Sequence, residues 1–146
     1  MAERTYGAAG MALTRSFEGL RLTAYMDQRG VWTVGYGHTG PGVHAGLTIS
    51  EAEAEAFLAG DIAGAVAAVN RLVTAEISQN QFDALVDFAF NLGAATLARS
   101  TLLRCVNSGD FAAAAKQILA WDHVNGHVVP GLLRRRQAEA ELFAKA

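Results

Sequence analysis

Phe17-Glu18-Gly19-Leu20-Arg21-Leu22-Thr23-Ala24-Tyr25-Met26-Asp27-Gln28-Arg29-Gly30-Val31-Trp32-Thr33-Val34-Gly35-Tyr36 is the stretch that decides how this chain is built. Ahead of it, Leu13 and Phe17 stand four apart, on one face of a helix covering about Met11–Phe17. Gly19 closes that helix. Leu20–Met26 and Val31–Tyr36 read as strands. Gln28-Arg29-Gly30 suits a three-residue hairpin turn with Gly30 in the left-handed region. In that register Asp27 faces Val31 and shares a ribbon face with Thr33, a diagonal neighbour at roughly 7–8 Å. Two oxygen-bearing side chains so spaced can hold one water; the plainer alternative is a turn-starting aspartate beside an ordinary strand threonine. Glu18 falls at the carboxyl end of the first helix, among Leu13, Phe17, Leu20 and Leu22. The partial negative charge of the helix end and these apolar neighbours favour a protonated carboxyl, as a general acid requires. A solvated glutamate at a frayed end is the alternative.

Outward from this stretch the pattern changes at Thr48. Beyond it the sequence is Ala-rich with helical period. Thr48 with Glu51, and Ser50 with Glu53, form two overlapping capping boxes, either of which can start a helix running to about Asn70. Ser78 with Gln81 begins another, which Gly93 stops. Further helices fit Leu97–Val106 and Phe111–Trp121, and a last one has Pro130 in its first turn. The expectation is an α+β fold in one domain over 1–146: a small N-terminal β-hairpin lobe at about 19–47, a linking helix at about 48–70, and a larger helical lobe at about 71–146.

The chain has 146 residues, 51% hydrophobic and 18% charged, which suits a folded domain with a real core and excludes a disordered chain. One cysteine, Cys105, excludes an internal disulfide framework and reads as a small buried hydrophobe on a helix. A net charge of −2 argues against a dedicated nucleic-acid binder. No apolar run reaches about 18 residues, so no membrane insertion is expected. The polar start Met1-Ala-Glu-Arg-Thr-Tyr lacks the marks of a signal peptide. The chain is therefore expected to be made soluble in the cytoplasm and to meet any external substrate only after release.

The spacing Glu18, Asp27, Thr33, joined to Gly35-Tyr36-Gly37-His38-Thr39, resembles the active-site region of the phage-type lysozymes, the muramidase endolysins of glycoside hydrolase family 24. The resemblance continues through Gln79-Asn80-Gln81-Phe82-Asp83-Ala84-Leu85, Phe90-Asn91-Leu92-Gly93, Ser100-Thr101-Leu102-Leu103 and Pro130-Gly131-Leu132-Leu133-Arg134-Arg135-Arg136, nearly the whole chain. It implies a mostly helical lysozyme-like fold with a groove for glycan between its lobes. It implies cleavage of the β-1,4 bond between N-acetylmuramic acid and N-acetylglucosamine in peptidoglycan. Glu18 would protonate the leaving oxygen, ionised Asp27 would stabilise positive charge and orient water, and Thr33 would fix that water. It also implies a structural ion pair between His38 and Asp61. No cofactor or metal is expected, nor a nucleic-acid partner, and the chain is expected to work as a monomer.

Several residues keep two readings. Gly37 can pass close to sugar; Asn91 can line the groove or cap a helix; Ser100 can donate to sugar or cap a helix. Gly35-Tyr36-Gly37-His38-Thr39-Gly40 matches the dinucleotide fingerprint literally, but Pro41-Gly42 follows where a helix should open. His123 and His127 lack an acidic ligand at fixed spacing, so a metal site is not expected there. Trp121 and Phe90 read as core. Arg134-Arg135-Arg136 reads as a solvated helix face, or as an arginine that steadies Glu18 or meets anionic wall. Beside the hydrolase stand a lytic transglycosylase, which would form an anhydro sugar, and a noncatalytic glycan-binding module.

Overall fold

The computed structural model describes residues 3–145. Two compact units emerge, one of residues 14–63 and one that joins the chain up to Leu13 with Gly64 onward. The division falls inside two helices, α1 (Ala8–Glu18) and α2 (Glu51–Leu72).

In the unit of residues 14–63, β1 (Arg21–Met26) and β2 (Trp32–Gly35) pair antiparallel, with Met26 opposite Trp32 and Tyr25 opposite Thr33. The register shifts between Arg21 and Tyr25, so the ribbon carries a bulge. Its turn is the three-residue one the sequence suggests. The Gly30 amide donates to the Asp27 carbonyl at 3.0 Å, and Gly30 has φ +79°. The segment at Leu47–Ile49 runs along β1, with the Ala24 amide donating to Leu47 O and the Ile49 amide to Leu22 O. Val34, Val43, Ile49 and Ala54 form the core here, covered by Leu22, Trp32, Tyr36 and Phe57. Of the two possible capping boxes, Ser50 and Glu53 close: the Ser50 amide donates to Glu53 Oε1 at 3.0 Å and the Glu53 amide to Ser50 Oγ at 3.1 Å. The helix therefore begins at Glu51 rather than Thr48.

The other unit is helical: α3 (Gln79–Leu92), α4 (Ala94–Ala98), α5 (Thr101–Asn107), α6 (Phe111–Leu119) and α7 (Pro130–Ala144). Ser78 and Gln81 make the expected capping box on α3. Phe82, Leu85, Val86, Phe88, Leu97, Leu102, Ile118 and Phe143 are buried in its core. The single helix expected over Leu97–Val106 is instead two. Ser100 breaks it, donating its hydroxyl to Leu97 O at 2.7 Å and accepting the Leu103 amide at 3.0 Å, which ends one helix and starts the next. A short hairpin, β3 (His123–Val124) and β4 (His127–Val128), was not expected. Its signal is Asn125-Gly126, with φ +51° and +80°, the dipeptide that two-residue hairpin turns prefer.

Charge is buried in this unit at Asp83 and along α7, among other positions. Asp83, 1% exposed, accepts the Gly7 amide at 2.9 Å, the Gly10 amide at 3.2 Å and the Gln79 side-chain amide at 2.7 Å, and so seats the amino end of α1. On α7, Arg135 forks onto both oxygens of Asp87 at 2.8 and 2.9 Å, and Arg136 grips Glu139 with two contacts of 2.7 Å. The Arg136 guanidinium also lies 5.3 Å over the Phe88 ring. Arg135 and Arg136 are thus buried, which corrects the reading of the triplet as a solvated face; Arg134 alone is exposed. Trp121 is 36% exposed and meets Phe88 edge-on, so it is not a core residue; Phe90 and Cys105 are half-buried.

Candidate active site

Glu18, Asp27, Thr33 and Gly37 all belong to the unit of residues 14–63. Glu18 is the last residue of α1, half-buried, and Gly19 follows at φ +70°. Gly37 (φ +84°) passes so near that a Cβ built on it would lie 3.2 Å from Glu18 Oε1. The tight turn that brings it there is closed by the Val34 and His38 amides, each donating to the other's carbonyl at 2.9 Å.

Asp27 is seated by its own turn. Oδ1 accepts the Arg29 amide at 2.8 Å and the Val31 amide at 2.9 Å, and Oδ2 faces Arg29 Nη2 at 3.3 Å. The Val31 amide most of all holds the carboxyl below the usual aspartate range; burial opposes it, and the Arg29 amide and guanidinium add to the lowering. Thr33 is 4% exposed, and its hydroxyl donates to the Val31 carbonyl at 3.0 Å. Its one proton is committed, so towards any water its oxygen can only accept.

Around these groups, His38 Nδ1 lies 2.8 Å from Asp61 Oδ2, and the imidazole stacks on Phe57 with centroids 4.1 Å apart. Glu55 accepts from Arg15 at 3.3 Å and from the Tyr36 hydroxyl at 3.4 Å, joining α1, the turn after β2, and α2. Burial, then the Glu55 charge, pushes the Tyr36 phenol above its ordinary value, so it stays a donor.

Asn91 and Ser100 belong to the other unit. Asn91 Oδ1 accepts from Arg136 Nη2 at 2.9 Å. Ser100 is the cap described above, with its proton on Leu97 O. His123 pairs with its neighbour Asp122. Among the described residues no three His, Cys, Asp or Glu side chains are gathered as metal ligands, and no helix is long and apolar enough to cross a membrane. Sequence reading missed Arg29 as a partner of Asp27. Its signal was an arginine inside the turn that Asp27 opens, two residues on.

The phage lysozyme family model matches residues 15–139. An endolysin of Bacillus phage B103 is 44% identical over 137 residues, 92% of this chain and 52% of that protein. An endolysin of Acyrthosiphon pisum secondary endosymbiont phage 1 is 43% identical over 141 residues, 94% of this chain and 96% of that protein. The chain thus spans about half of the first relative and almost all of the second. Among solved structures, the muramidase domain of SpmX from Asticaccaulis excentricus superposes with a TM-score of 0.90 at 40% identity, covering 98% of this chain and 99% of that one. A mutant of P22 lysozyme superposes with a TM-score of 0.89 at 34% identity, covering 97% and 99%. With that model covering most of its length and relatives this near, the chain belongs to the phage lysozyme family.

Proposed function

We propose that this chain is a muramidase that hydrolyses the β-1,4 bond between N-acetylmuramic acid and N-acetylglucosamine in peptidoglycan, and so lyses the bacterial wall. The observation that carries this reading is one unit holding two carboxyl groups in unlike settings. Glu18 ends a helix with a glycine backbone against its carboxyl, and Asp27 sits in a nest of amides that favours its anion. A glycosidase needs two carboxyl groups with different tasks, one to give a proton and one to stay charged.

In the reaction, Glu18 donates its proton to the glycosidic oxygen as the bond breaks. Asp27 faces the growing positive charge at the sugar carbon through Oδ2, since Oδ1 is held by the turn amides. A water donates one hydrogen to Thr33 Oγ1 and one to Asp27, which turns its lone pair to the sugar carbon, and Asp27 takes the latter proton as the new C–O bond forms. Water delivered in this way inverts the anomeric centre. One copy carries both carboxyl groups, so a monomer suffices. The glycan lies outside the cytoplasm, so the enzyme acts on it after release.

Glu18→Gln removes the transferable proton and keeps the shape. Digestion of purified peptidoglycan is expected to fall at least 10²-fold, with the melting temperature unchanged. Product masses of hydrated rather than anhydro ends separate hydrolysis from a transglycosylase. Full wall clearing by Glu18→Gln would overturn the assignment, and a folded but inactive wild type would point to a binding module.

A further inference from the structure

Asp27 has one oxygen left to act, because Oδ1 is spent on two amides of its own turn. Arg29 sits on the other. Its Nη2 is 3.3 Å from Oδ2, while the arginine side chain is 80% exposed and the aspartate side chain 20%. A guanidinium so exposed is loosely held, since such pairs gain little in water and cost side-chain freedom. Tyr25 and Met26 precede Asp27 on β1, Trp32 and Thr33 open β2, and Arg29 is the cation whose charge bears on the Asp27 carboxyl. Arg21, the charged residue of β1, starts the strand but reaches along it, with its guanidinium 4.4 Å over the Tyr25 ring. Other acids described in the same unit include Glu18 on α1 and, on α2, Glu55 paired with Arg15 and Tyr36 and Asp61 paired with His38.

We propose that Arg29 is a positioning residue that acts through Asp27: docked on Oδ2 it keeps the carboxylate serviceable in acid, and it must lift away for the reaction to proceed. This rests on the assignment of Asp27 made above. The two effects have opposite signs. A nearby cation favours the aspartate anion over its protonated form, which helps at low pH. The same cation repels the positive charge that grows on the sugar, and it covers the oxygen that must meet water, which slows turnover once Asp27 is ionised anyway.

The test is kcat and KM against pH on purified peptidoglycan for the wild type, Arg29→Gln and Arg29→Lys, at low and high salt, with the Asp27 carboxyl titrated by NMR in each. In Arg29→Gln the acid midpoint is expected to move up by about half a pH unit at low salt, the scale of an exposed ion pair. Its kcat near neutrality should rise about twofold with KM unchanged, so the two profiles cross. Arg29→Lys should keep the wild-type midpoint, and in about 0.5 M salt the profiles should merge. Superimposable profiles at low salt, or a uniform loss at every pH with a lower melting temperature, would overturn the proposal. A shifted Asp27 titration without any activity in the wild type would leave Arg29 paired to Asp27 and sink the muramidase reading instead.

Discussion

Asp27, Thr33 and Gly37 show how few atoms the candidate site needs. The Asp27 anion is favoured by its turn, so its contribution is present above the ordinary aspartate value of 3.8 and is lost only as pH falls through the lower folded value. Gly37 does two things that a side chain would spoil: it takes a left-handed φ, and it leaves room for the Glu18 carboxyl. Gly37→Ala would strain the backbone by about 1–2 kcal/mol and push against Glu18 Oε1. Because a displacement near 1 Å can cost about 10²-fold in rate, kcat on peptidoglycan is expected to fall tenfold or more. Unchanged turnover in a folded Gly37→Ala protein would show that the carboxyl has slack.

At the scale of elements, what was legible was local. The hairpin turn, the closing glycine of α1 and the capping box of α3 are written in residues a few positions apart, and each lies where those residues place it. Two helical boundaries were not legible, because rival caps overlapped. Thr48 and Ser50 compete for one helix start, and only the closed bonds of Ser50 choose between them. Ser100 falls inside an apolar run that reads as continuous helix, yet its hydroxyl turns back on Leu97. The seat of α1 was invisible for another reason: Asp83 lies more than seventy residues from the glycine amides it accepts. Gly10 exists for that contact. A Cβ there would lie 2.8 Å from the Asp83 side chain and closer still to the Tyr6 ring. Gly10→Ala is expected to destabilise the fold by about 1–3 kcal/mol in urea unfolding, despite the better helix propensity of alanine. A neutral or stabilising effect would mean that Asp83 and Tyr6 yield easily.

For the molecule as a whole, the fold class was readable, whereas the buried charges were not. Asp87, Arg135, Arg136 and Glu139 look like any charged surface until their partners are known. Desolvation, then the neighbouring Asp87, pushes the Glu139 carboxyl well above 4.5, and Arg136 only partly offsets this. Between 4.5 and that raised value the folded protein holds a proton that the unfolded chain has lost, so stability falls as pH rises through the window. Urea unfolding at a series of pH values should show this slope, up to about 1.4 kcal/mol per pH unit, and Glu139→Gln should flatten it. Equal slopes in the two proteins would mean that Glu139 is ionised in the fold. The contrast with Asp27 has an evolutionary side. Glu139 owes its state to burial and to a residue on another helix, and no short segment could carry that state elsewhere. Asp27 owes its state to amides two and four positions ahead. Such a carboxylate is modular: grafted with its loop into an unrelated ribbon, it would bring its acid tolerance along, and sequence drift in the helices would leave it intact.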